Sequence, residues 1–91
     1  MNIEIIKDKK NDEFSRENSI NLIIDYVNLS KDIDLQNHIK ELHNADIADI
    51  LHNLDPEIRI VFIKKIKSNF DPEILTYLND SLRDEIVEEL D

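Results

Sequence analysis

The chain has 91 residues, of which 35% are charged and 41% apolar, with a net charge of −10 and no cysteine. That leaves room for one domain and excludes disulfides and thiolate metal sites. It also disfavours phosphate backbones and anionic lipid as partners.

Residues 1–14 show no sustained hydrophobic period and read as a disordered lead-in, with a helical domain expected over 15–91. Lys7, Lys9 and Lys10 lie among acids without the apolar stretch of a secretory signal. Ile20, Ile23, Ile24 and Val27 then follow the i, i+3, i+4, i+7 spacing of an amphipathic helix. Asn28 to Asp34 reads as a break, after which Leu35, Ile39 and Leu42 resume a stripe. A third helix carries Ile47, Ile50, Leu51 and Leu54. A fourth, opened by Asp55-Pro56-Glu57, carries Ile58, Phe62, Ile63 and Ile66. A fifth, opened by Asp71-Pro72-Glu73, carries Ile74, Leu75 and Leu78, and the last, from about Asp80, carries Leu82, Ile86, Val87 and Leu90. Ile60 to Ile63 is among the longest apolar runs, far below the ~20 residues of a membrane helix. The class predicted is all-α.

The breaks have a physical cause. Asp55 and Asp71 are placed to cap helix starts, and the following Pro lacks the backbone donor that would be orphaned there. Glu57 and Glu73 then face the positive helix end. The chain has no glycine, so Asn28, Asn53, Asn69 and Asn79, near the predicted ends, are expected in the left-handed conformation that closes helices. At an offset of 24 residues, Ile50, Leu51 and Leu54 match Ile74, Leu75 and Leu78. At the same offset, Ile58, Arg59, Phe62, Ile63 and Ile66 match Leu82, Arg83, Ile86, Val87 and Leu90. Helices this short must bury their stripes on neighbouring units, which predicts a repeating helical stack.

No nucleophile, base and orienting group can be assembled from spacing, so the chain does not read as an enzyme. His38, His43 and His52 are the imidazoles; structural or surface roles are expected for them, with His43 a cap or packed hinge. Lys64, Lys65 and Lys67 complement a negative helix end. Arg59 and Arg83 are expected in exposed ion pairs with neighbouring units, each worth under ~1 kcal/mol. From Asp71 to Asp91 there are eight acids against Arg83, so this segment carries −7. Hard divalent cations take oxygen ligands, and Mg²⁺ commonly touches only one or two carboxylates while keeping its waters. Asp55 and Asp71 are engaged as caps, whereas Glu73, Asp84, Glu85, Glu88 and Glu89 are expected to be freer.

The run Glu41-Leu42-His43-Asn44-Ala45-Asp46-Ile47-Ala48-Asp49-Ile50-Leu51 resembles the Leu-His-Pro-Ala-Asp-Ile-Ala-Asp-Leu-Leu segment of the amino-terminal cytosolic domain of MgtE-type magnesium transporters. The likeness continues through Leu54-Asp55-Pro56-Glu57-Ile58-Arg59, and through Glu73-Ile74-Leu75 with Leu78, similar to the family's Glu-Val-Leu-x-x-Leu. It spans about Leu35 to the end. Asn44 stands where the family has proline, which implies a looser helix start.

The resemblance implies a right-handed superhelix of short helices, truncated here before its last repeat, that docks on CBS domains at high Mg²⁺ and closes the pore. CBS domains and a transmembrane domain of the same transporter are the implied partners. The implied whole is a homodimer whose domain of this type lies on the cytoplasmic side of an inner or plasma membrane. This segment itself inserts in no membrane and binds no nucleic acid. Glu73 matches the family's glutamate and is the implied Mg²⁺ ligand, in a weak site left incomplete by this chain; Asp84, Glu85, Glu88 and Glu89 form the possible acidic interface. Asp46 and Asp49 are expected to cap or pack. The rival reading is a freestanding acidic helical-repeat adaptor binding a basic protein partner.

Overall fold

A computed structural model describes the backbone of residues 3–91 and the side chains of residues 16–91. It is all-α, with five helices and two 3₁₀ segments and no strand among the described residues. The helices are α1 (Ile3–Asn28), α2 (Asp32–Lys40), α3 (Asn44–Asn53), α4 (Pro56–Ile66) and α5 (Asp80–Leu90). The 3₁₀ segments, Lys67–Asn69 and Pro72–Tyr77, lie between α4 and α5. Among the described residues no helix is long and apolar enough to cross a membrane. The lead-in expected over 1–14 lies outside the described side chains.

The apolar stripes meet in one core. Ile23, Leu35, Ile50, Leu51, Phe62, Ile63, Ile66, Ile74 and Ile86 are almost wholly buried. Ile23 and Val27 bring the end of α1 into the same cluster, and Arg16 Nε lies 3.0 Å from Asp49 Oδ2 on α3. The later part of α1 is thus packed on the stack. Burying a Leu, Ile or Phe side chain gains about 1.5–3 kcal/mol, so these stripes, more than helix propensity, hold the short elements in place.

Several local expectations need correction. The break after α1 is only Leu29 to Lys31, because α2 already starts at Asp32. Its closure is a Schellman motif: Lys31 N–H donates to Tyr26 O (2.8 Å) and Ser30 N–H to Val27 O (3.3 Å). Ser30, not an asparagine, takes the left-handed position, with φ 54°, and it is the one described residue with positive φ. α3 instead runs into an extended Leu54 (ψ 145°) that leads straight to the next helix. Asparagines there act through their side chains. Asn53 Nδ2 donates to Asp49 O (2.7 Å), and Asn69 Nδ2 to Gln36 Oε1 (3.1 Å). Asn79 caps a start rather than an end, its Oδ1 accepting from Leu82 N–H at 2.8 Å.

The predicted fifth helix is a 3₁₀ segment, Pro72–Tyr77. Pro72 disfavours helical conformation at Asp71, and Leu78 is already extended (ψ 150°). Six residues between those limits are too few for an α-helix to repay its nucleation, so the turn tightens to i→i+3 bonds.

Candidate functional site

The two Asp-Pro-Glu starts behave differently. Asp71 Oδ1 accepts the Glu73 backbone N–H at 2.9 Å, the side-chain cap expected of it. Asp55 occupies the same position before α4 but its carboxylate makes no cap bond. There the backbone carbonyl of Asp55 accepts from Arg59 N–H (2.8 Å) and Pro56 removes one orphan donor.

Asp71 and Glu73 are brought together by Asn44, the first residue of α3. Its Nδ2 lies 2.9 Å from Asp71 Oδ2 and 2.9 Å from Glu73 Oε1. Far from loosening the helix start, Asn44 ties α3 to the second 3₁₀ segment, which packs against it. The Asp71 carboxyl is held below its ordinary value, first by the Glu73 N–H and then by the Asn44 amide. Glu73 is therefore exposed but tethered, a correction to the free carboxylate expected. Asp46 Oδ2 accepts the His43 backbone N–H at 3.3 Å, which completes the α3 start by capping.

The acidic residues of α5 separate by partner. Glu85 Oε2 accepts from Arg59 Nη1 at 2.7 Å, and Glu89 Oε1 lies 3.9 Å from Lys64 Nζ. These two act within the stack, while Asp84 and Glu88 are exposed. Of the four acids expected at an interface, Asp84 and Glu88 are exposed, while Glu85 and Glu89 are also paired within the stack. Lys65 also serves the stack, its Nζ reaching Asp32 Oδ1 at the start of α2 (2.8 Å). Gln36 Nε2 donates to Lys65 O at the end of α4 (2.7 Å).

Arg59 was expected in an exposed pair, and its surroundings differ. Its side chain is 13% exposed. Besides Glu85 it reaches the end of α3, Nε donating to Leu51 O (2.9 Å) and Nη2 to Leu54 O (3.0 Å). These carbonyls have no partner within the helix, so Arg59 closes α3 and clasps α5 at once. The repeat made Arg59 visible in the sequence, but the carbonyl acceptors are set by how α4 returns across α3.

As a cation site, the donor set is partial. Two carboxylates flank one amide nitrogen, an oxygen of each 2.9 Å from it. A pair of carboxylates suits Mg²⁺, which keeps most of its water. Among the described residues no group of three or more His, Cys, Asp and Glu comes together to hold a metal. The described residues form no closed cage. His52 is occupied locally, its Nδ1 2.9 Å from Ala48 O, and His38 packs edge-on to Tyr26 with ring centroids 6.3 Å apart.

No curated protein and no solved structure matches the chain. The family described as the MgtE intracellular N domain matches residues 42–91, a span that begins just before Asn44 and contains α3, α4, both 3₁₀ segments and α5. The chain belongs to the MgtE intracellular N domain family.

Proposed function

We propose that this chain is the Mg²⁺-responsive regulatory domain of an MgtE-like transporter, acting by docking rather than catalysis. The observation that carries the reading is the family match over residues 42–91, which includes the exposed Asp71–Glu73 pair. In this reading the domain lies on the cytoplasmic side of the membrane and docks on CBS domains of the same transporter, itself a homodimer.

The chain's own part is electrostatic. The segment from Asp71 to Asp91 carries −7, and an acidic partner surface closer than about 8–10 Å repels it. Asn44 holds the Asp71 and Glu73 carboxylates on either side of its amide, and a cation taken up by both displaces that amide. Mg²⁺ between the surfaces supplies the positive charge that turns repulsion into attraction. At low Mg²⁺ the repulsion of Glu73, Asp71 and the solvated Asp84 and Glu88 frees the domain, and the pore opens.

The test is Mg²⁺ titration by NMR of a protein that includes the CBS domains, comparing wild type with Glu73→Gln. Mg²⁺-dependent shifts at the docking surface are expected to weaken severalfold in the variant. Unchanged shifts would remove Glu73 from the ligand set. Salt-sensitive binding to a basic protein with no Mg²⁺ response would replace this reading with that of an acidic adaptor.

A further inference from the structure

The end of α2 and the start of α3 face the two 3₁₀ segments across a half-open cleft of about 150 Å³. Its floor is apolar: Ile39, Ile47, Ile66 and Ile74 line it, and none is more than 9% exposed. Phe70, half-buried, adds an aromatic wall. A cavity of about 150 Å³ lined by such side chains has room for one benzene ring. The rim is polar and carries one charge of each sign. Lys40, the last residue of α2, is exposed and makes no ion pair among the described residues. Asp71, in the link between the 3₁₀ segments, is exposed as well. It keeps its charge into acid solution, its carboxyl held below the ordinary value by the Glu73 N–H and then by the Asn44 amide. Those two bonds fall on different oxygens and leave roughly half of the carboxylate's acceptor sites open.

We propose that this cleft binds a free α-amino acid with a large apolar side chain, such as phenylalanine or leucine. The side chain fills the isoleucine floor, the ammonium meets Asp71 and the carboxylate meets Lys40. Each half of the match excludes a simpler ligand. A carboxylic acid without an amine brings its charge beside Asp71 unpaired, and an amine without a carboxylate brings its own beside Lys40. A small or polar amino acid leaves the floor in contact with water, and ion pairs at an exposed rim are worth little by themselves. A few polar groups over an apolar cavity are what orients a small ligand. Gln36, Ile39 and Lys40 line the cleft and precede the residues 42–91 that match the family, so α2 and that unit build the cleft together.

The proposal rests on the cleft and not on Mg²⁺. Its test is run with a chelator and no divalent cation, so that its failure and that of the reading above are distinguishable. The 91-residue chain is titrated with phenylalanine and followed by ¹⁵N and methyl NMR. Saturable shifts at Lys40, Asp71 and Ile74 are expected at about 1–10 mM, the range a ligand of this size reaches. NOEs from the ring protons to the Ile47 and Ile74 methyls should accompany them. 3-Phenylpropionate lacks the ammonium and 2-phenylethylamine lacks the carboxylate, so each should bind severalfold more weakly, and alanine should not saturate. Lys40→Met, a change at an exposed position, should bring phenylalanine down to the affinity of phenylethylamine. Absence of saturation at the solubility limit of phenylalanine overturns the proposal. So does equal binding of the three ring compounds, alanine binding as tightly as phenylalanine, or Lys40→Met without effect.

Discussion

Arg59 and Arg83 are equivalent in the repeat, yet the structure assigns them very different energetic weights, and Arg59→Met beside Arg83→Met measures the difference. Methionine keeps most of the packed stem, so the loss at position 59 isolates the guanidinium. Its arm to Glu85 is worth at most about 1 kcal/mol, because Glu85 is 38% exposed and regains water. The arms to Leu51 O and Leu54 O (2.9 and 3.0 Å) carry more, since bonds from a charged donor are worth about 1.5–3 kcal/mol each and are not additive. The expected total is about 3 kcal/mol. A domain of this size moves about 4–8 °C per kcal/mol, so Tm should fall by roughly 12–24 °C. Arg83 pairs with Asp80 at i, i+3, with the two side chains 43% and 91% exposed, and Arg83→Met should cost under about 0.5 kcal/mol. Urea denaturation with a shared m-value gives both numbers. Equal losses at the two positions, or less than about 1 kcal/mol at Arg59, would refute the clasp.

The remaining predictions concern single local contacts. Asn44→Ala should raise the Asp71 pKa part of the way to its ordinary value, since the Glu73 N–H remains, and carboxyl-detected NMR titration reads it directly. Because the folded pKa is depressed, the stability this group contributes is present above its unfolded value of 3.8 and lost as pH falls through the folded pKa. Asn44→Ala should therefore narrow the gap between the neutral-pH and low-pH Tm, the loss falling on the neutral side where the contribution is present and vanishing below the folded pKa. Ser30→Gly relieves a side chain held at φ 54°. The left-handed penalty of about 1–2 kcal/mol, less the extra entropy of an unfolded glycine, leaves a stabilisation of about 0.5–1 kcal/mol, readable by thermal denaturation. A destabilised variant would mean that the Ser30 side chain makes an unrecognised contribution.

The all-α class and the helix starts were legible because their signals are local. Ile23, Ile50, Phe62, Ile74 and Ile86, each placed on an apolar stripe by spacing alone, are all buried, and the prolines open the elements they were expected to open. What spacing could not supply was the distance between stops. The same Asp-Pro-Glu start opens an eleven-residue α-helix at Pro56 and a six-residue 3₁₀ segment at Pro72, because Leu78 turns extended so soon after the second. The closures failed for a related reason. Expecting asparagine at each end assumed that every helix needs a left-handed cap, whereas α3 closes on side-chain donors delivered from a later element: Arg59 is eight residues beyond Leu51.

The carboxylates carry the same lesson into function. Sequence sorted them by what each could do alone, with Glu73 and the α5 acids free and Asp55 and Asp71 engaged. Folding sorts them by what lies across from them. Glu85 and Glu89 meet Arg59 and Lys64 because α5 lies on α4, and Glu73 meets Asn44 because the 3₁₀ segment lies on α3. Asn44 is the residue that sequence reasoning undervalued: seen as a lost proline, it looked like a weakened start. Its amide offers two hydrogens to acceptors, and placing both Asp71 and Glu73 around it lets two like charges sit side by side without a counter-ion. The amide is a neutral donor, whereas a salt bridge to lysine would have filled the position with a full charge. The neutral clamp therefore keeps the two carboxylates together while leaving the pair's charge uncompensated.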